Sequence, residues 1–139
     1  AIQNKEILTR LNDAVKGVYA RSSEPKTRGR GLDPDYNFFF SAPTFVIVSY
    51  KKETRSTAPL ADCAVALQNI FLAAYSLGIG SCWINALTRM GQETTVTKLL
   101  EEIGMPTGNR VYGCAALGYP QGPFPQPPER KTGVTAVLK

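Results

Sequence analysis

The sequence predicts an α/β (α+β) domain in which a mixed central sheet is flanked by helices. Three observations carry that expectation. Residues 44–50 (TFVIVSY) and 111–117 (VYGCAAL) are apolar, continuous and rich in β-formers, as strands covered on both faces are. Residues 2–18, 59–77 and 93–103 repeat their apolar positions at three- and four-residue spacings, the period of a helix. The chain has 139 residues, of which 43% are apolar and 19% charged, enough for one buried core and the size of a single domain over 1–139.

The elements follow in order. Ile7, Leu8, Leu11, Val15 and Val18 give the first helix, over 2–18, one apolar face. Residues 21–36 are polar and interrupted by Gly29, Gly31 and Pro34, which predicts a long mobile loop. Phe38, Phe39 and Phe40 then lead through Ser41, Ala42 and Pro43 into the first strand. The longest helix is expected over 59–77, with Thr57 near its N-cap, Pro59 in its first turn and Gly78 in the left-handed position that ends it. Leu60, Ala64, Val65, Leu67, Ile70, Phe71 and Leu72 make this helix apolar nearly all round, so it should be buried on most sides, within the domain or against a second subunit. A short strand is expected over 81–84, a helix over 93–103 stopped by Gly104-Met105-Pro106, and a second buried strand over 111–117. Four prolines within 121–128 make 121–131 a stiff, extended arm. Residues 134–138 alternate weakly, as a final edge strand.

Composition excludes several chemistries. The chain contains no histidine, so Ser-His-Asp and Cys-His nucleophile pairs, imidazole metal sites and imidazole acid–base catalysis are unavailable within it. No residue stands out as catalytic, and no metal site is expected. Cys63, Cys82 and Cys114 are an odd set without a CxxC pair, each in an apolar context, and are expected to be buried structural thiols of a reduced, cytoplasmic protein. A net charge of +5 admits an anionic partner. The basic residues form no strong run and no RNP-like aromatic motif accompanies them, so neither nucleic acid nor membrane is expected as a partner.

Five collinear segments have a further meaning: Ser41-Ala42-Pro43-Thr44-Phe45-Val46-Ile47-Val48, residues 61–74 (ADCAVALQNIFLAA), residues 77–84 (LGIGSCWI), residues 99–106 (LLEEIGMP) and Ala116-Leu117-Gly118-Tyr119-Pro120. In this order and spacing they closely resemble the nitroreductase family, over about residues 37–131. The resemblance implies a nitroreductase-like fold, with the long buried helix at the interface of an obligate homodimer and FMN bound between the subunits. It also implies an oxidoreductase activity, electrons passing from NADH or NADPH through FMN to nitroaromatic, quinone or similar small-molecule acceptors. The flavin carries the ring chemistry and the protein supplies position and electrostatics, which suits a chain without histidine.

Carried over by position, Trp83, Ile84, Asn85 and Ala86 match the stretch that runs along the flavin ring. Backbone N–H groups near Asn85 and Ala86 would bond its N5 and O4 edge. As an ordinary structural residue, Trp83 would instead be a core aromatic at a sheet edge. Gly78 and Gly80 would let the chain turn beside the ring, although helix capping explains Gly78 as well. Arg130 matches the family's C-terminal arginine that pairs with the FMN phosphate, a contact suited to a planar guanidinium. Its plain alternative is a solvated charge beside Glu129 and Lys131. Gln68 and Asn69 are expected as interface or buried hydrogen-bonding groups. The family's RRSxR-like opening and its Pro-Ser-x-x-Asn-like segment do not occur, so the chain looks N-terminally shortened. Two readings follow: an FMN-dependent reductase, or a nitroreductase-like domain without redox activity that serves as a binding or structural module.

Overall fold

A computed structural model describes residues 1–51, 53–90 and 93–133. In chain order these form α1 (Lys5–Ala20), α2 (Pro25–Leu32), β1 (Thr44–Lys51), α3 (Pro59–Ser76), β2 (Gly80–Ile84), α4 (Ala86–Met90), α5 (Thr94–Glu102) and β3 (Asn109–Gly118). The sheet has the order β1-β3-β2, with β3 antiparallel to both neighbours. β1 and β2 therefore run in the same direction but are separated by β3, so both ladders are antiparallel.

β3 divides the core into two unequal layers. Cys114 and Ala116, two residues apart and so on one face, join a large cluster with Leu8, Leu11 and Val15 of α1, Leu87 of α4 and Leu99 and Leu100 of α5. Phe38, Phe39 and Phe45 close its edge as a triangle of rings, with centroids 5.1–5.5 Å apart. The opposite face presents Gly113 and Ala115, both buried, to α3. A Cβ on Gly113 would stand 2.9 Å from Leu67 Cδ1 and 2.9 Å from Trp83 Cζ2. The absence of a side chain there lets α3 and the indole lie directly on the strand.

The ends of the helices have local causes. Asn4 caps α1 by accepting from the Ile7 N–H at 3.0 Å, so the helix starts later than the apolar period implies. Ile2 is left to pair with Phe45 through two backbone bonds, of 2.8 and 2.9 Å. At the end of α3 the N–H of Gly78 reaches the Tyr75 carbonyl (3.0 Å) and that of Ile79 the Ala74 carbonyl (2.8 Å), a Schellman closure with Gly78 at φ +71°. Gly104, at φ +104°, ends α5 in the same way. Thr57 does not cap α3. Ala58 is the N-cap residue and brings no side-chain capping bond; ahead of it, Ser56 Oγ accepts from the Ala58 N–H and donates to Asp62 in the first turn.

Three expectations are corrected. Residues 21–36, expected as a mobile loop, contain α2. Glu24 caps it with both carboxylate oxygens, accepting from the Lys26 and Thr27 N–H groups at 3.0 and 2.6 Å, and Pro25 opens it. Hydrogen bonds from the Thr27 side chain and backbone hold the Glu24 carboxyl below its ordinary value. Gly31 has a packing role there, since a Cβ on it would overlap the Ala20 backbone. The helix thus exists by capping and close contact with α1, in spite of its two glycines. Second, of the two settings expected for α3, burial on most sides within the domain does not hold: Cys63, Leu67 and Ala74 face the sheet, while Val65 (60%) and Leu72 (58%) are exposed. Third, Cys63 and Cys114 are buried but Cys82 is exposed. The edge strand expected over 134–138 lies outside the described residues.

Candidate functional site

The site grows from the end of β2. Ile84 pairs with Cys114, α4 begins at Ala86, and Asn85 alone separates strand from helix. The first N–H groups of a helix have no partner within it, so the Ala86 N–H is left for a group outside α4. Alternation along the strand sends Ile84 into the core and Trp83 to the α3 side. Trp83 is 38% exposed, packed against Phe71 of α3 (centroids 6.0 Å apart) and Tyr112 of β3 (5.9 Å). Its indole N–H donates to Asn85 Oδ1 at 2.6 Å, which fixes the ring against the turn. Thr88 ties α4 to the sheet, its hydroxyl donating to the Tyr112 carbonyl at 2.9 Å. Gly80, at the start of the strand, lies where a Cβ would approach the Gly118 carbonyl to 3.2 Å.

A cavity of about 320 Å³ opens beside this turn. Residues 82–86 form one wall; Tyr19, Arg30, Tyr36, Phe38, Phe40 and Arg89 form the rest. Arg30 sits over the Tyr36 ring, its guanidinium carbon 5.9 Å from the centroid. Phe40 adopts φ +57° and Ser41 φ +55°, a region that non-glycine residues rarely occupy. Asn37 supports that turn, Oδ1 accepting from the Phe39 N–H at 3.1 Å and the Ser41 N–H at 2.9 Å. Burial raises the Tyr19 hydroxyl above its ordinary value, Tyr36 adds to the rise, and Arg30 and Arg89 oppose it. Away from the cavity, burial pushes the Cys114 thiol up to about 12, and burial, with Asp62 adding, raises Cys63. Neither is a nucleophile near neutral pH.

The structure brings Trp83, Ile84, Asn85 and Ala86 together as one continuous wall. Arg130 is not among the residues lining it; it lies on the exposed arm, as does Lys131. That arm meets the body where Phe124 packs on Tyr75, with ring centroids 5.2 Å apart. Sequence reasoning missed Arg30, Tyr36, Phe40 and Arg89. Arg30 lies in a segment read as loop, where Glu24-Pro25 was an available helix-start signal, and Arg89 lies on the five-residue α4, too short for a periodic pattern. Among the described residues, no group of three or more Cys, Asp or Glu is placed to hold a metal, and no helix is long and apolar enough to cross a membrane.

Comparison with known proteins places these features in a family. The model of the Nitroreductase family matches residues 1–119. A crystal structure of a nitroreductase with bound FMN from Bacteroides fragilis is 38% identical and superposes with a TM-score of 0.88, over 99% of this chain and 73% of that one. An FMN-bound nitroreductase from Desulfitobacterium hafniense, 22% identical, shares the fold with a TM-score of 0.79, again over 99% and 73% of the two chains. A curated protein of Archaeoglobus fulgidus, provisionally named NADH dehydrogenase/NAD(P)H nitroreductase, is 42% identical over 60 residues, 43% of this chain. That match spans only 33% of the Archaeoglobus protein.

Proposed function

The chain belongs to the nitroreductase family, and on that premise we propose that it is an FMN-dependent oxidoreductase drawing electrons from NADH or NADPH and delivering them to nitroaromatic, quinone or similar acceptors. The observation that carries the reading is the open strand-to-helix turn at Asn85 and Ala86, beside a half-exposed Trp83 anchored by its hydrogen bond to Asn85. A flat ring seated along residues 83–86 meets an aromatic flank and a backbone donor with no partner inside its own helix. Such a donor favours negative charge on the ring edge, because charge-assisted bonds are roughly twice as strong as neutral ones. When bound, FMN supplies the hydride acceptance and electron delivery; the chain holds and orients it and keeps its edge polarised. Without histidine, the chain offers no ordinary side-chain proton donor near neutral pH, and solvent is the natural source.

The phosphate end is assigned to Arg130, at the end of a proline-stiffened arm that leads away from the sheet. The homodimer is supported by the outer face of α3, where Leu60, Val65, Leu72 and Tyr75 stand exposed together. An obligate interface of that kind covers on the order of 2,000 Å². A reducing, cytoplasmic setting is supported by three cysteines without a disulfide among them.

The test is the flavin-to-protein ratio of the purified chain, together with oxidation of NADH and NADPH in the presence of a quinone. Bound FMN, with acceptor-dependent oxidation of either nucleotide, is the expected result. A folded dimer that neither retains nor rebinds FMN would favour the binding-module reading instead. Arg130→Ala should weaken FMN while leaving riboflavin unchanged; equal losses for both would remove Arg130 from the phosphate site.

A further inference from the structure

The cavity wall opposite Trp83 carries features that binding a flavin edge does not require. Two guanidiniums enter it from separate elements, Arg30 from α2 and Arg89 from α4, and no Asp or Glu lines it. Glu93 lines the neighbouring hollow beside Arg89, yet the ion pair found among the described residues is Arg10–Glu102, on the far end of α1. Arg30 is positioned over the Tyr36 ring. Phe40 is 72% exposed although large and apolar, and it is held on a left-handed backbone by Asn37. Strained backbone and an exposed aromatic are each unfavourable, and together they mark a place kept for a ligand.

We propose that Arg30, Tyr36, Phe40 and Arg89 form an acceptor subsite selective for aromatic anions, the rings taking the plane of a benzenoid carboxylate and the guanidiniums its charge. This rests on the reductase reading above and narrows its acceptor class. The chemistry fits the parts. A guanidinium fork matches a carboxylate in the plane of both groups, and Tyr36, under the Arg30 cation, sits beside the Tyr19 ring with centroids 6.1 Å apart, while Phe40 lines the same cavity. The two cations act on a common point: both favour the ionised form of the Tyr19 hydroxyl, although burial outweighs them there.

Trp83 is the only tryptophan of the chain and lines the cavity, so its fluorescence reports occupancy without turnover. Quenching by 4-nitrobenzoate and by neutral nitrobenzene should be titrated on the wild-type chain and on Arg30→Gln/Arg89→Gln. In the wild type the carboxylate should bind about tenfold more tightly, a preference of the size that partly exposed charged hydrogen bonds support. It should shrink as potassium chloride is raised, and fall to within about twofold in the double variant. Equal affinities in the wild type, or a preference that survives both salt and the double substitution, overturns the proposal. So does a double variant that loses FMN but not riboflavin, because the guanidiniums would then serve the cofactor phosphate. The salt titration needs no variant and decides the matter even if the double variant folds poorly. A chain that prefers the carboxylate but never takes up flavin keeps the subsite and defeats the reductase reading; a flavin-loaded chain with no preference does the reverse.

Discussion

α1 and α3 are the two long helices of the protein, and their apolar residues meet opposite fates. α1 carries polar residues on its outer side and sends Leu8, Leu11, Val15 and Tyr19 into the main core. α3 is richer in apolar residues, yet only Cys63, Leu67 and Ala74 are buried, and Val65, Leu72 and Tyr75 face outward. A sheet has only one face to offer a helix. Once Gly113 and Ala115 have received α3 from one side, its other side stays largely exposed among the described residues, with Phe124 touching it at Tyr75. Apolar content alone therefore does not report burial. The distribution of that content round the helix tells whether one partner surface suffices or a second is needed.

The sharpest way to break this comparison is to make the same substitution in both helices. Leu11→Ala removes a fully buried side chain and should cost about 2–5 kcal/mol. Leu72→Ala should cost the separated protomer well under 1 kcal/mol. Urea unfolding at protein concentrations low enough to separate protomers measures both, and equal losses would dissolve the distinction.

Leu72→Glu tests the second partner surface directly. If the proposed homodimer is built on α3, a carboxylate there should weaken self-association about a hundredfold, or about 3 kcal/mol, with little change in helical circular dichroism. Light scattering across a dilution series reads it; an unchanged dissociation curve would put the interface elsewhere.

Two smaller effects contrast the inside and the outside of the α1 layer. Cys114 is buried between α1 and the sheet, with its thiol raised from 9.0 to about 12. Below pH 9 folded and unfolded chains both keep the proton, so the stabilisation is fully present. Between pH 9 and 12 only the unfolded chain releases it, and stability falls. At pH 10 the wild type should thus have lost about 1.4 kcal/mol more than Cys114→Ala, each measured against its own stability at pH 7. On the outer surface, Arg10 donates to both Glu102 oxygens at 2.9 Å, with both side chains about half exposed. Arg10→Ala should cost only about 0.2–1 kcal/mol, decreasing with salt. A loss above 2 kcal/mol would mean that this pair locks α1 to α5.

Part of this protein is determined locally and was legible in its sequence. The positions of the long helices follow from periodicity and the strands read over 44–50 and 111–117 from continuous apolar, β-forming runs, each within a few residues of its observed span, and the left-handed glycines Gly78 and Gly104 mark their helix ends because L side chains resist that conformation. Residues 83–86, singled out through the motif around them, line one cavity, and their contact with a flavin is a proposal. Tertiary structure alone decided the rest. α2 has a local start signal in Glu24-Pro25, but its seat on α1 depends on Gly31 lying against the Ala20 backbone, and no local signal records that contact. The outward half of α3 depends on how many faces the sheet can present. Arg30 and Arg89 are far apart in the chain and converge only because α2 packs on α1 and α4 packs on β3. Local conformation is set by neighbours within a few residues, whereas burial and the meeting of charges are set by which surfaces remain once the layers have packed.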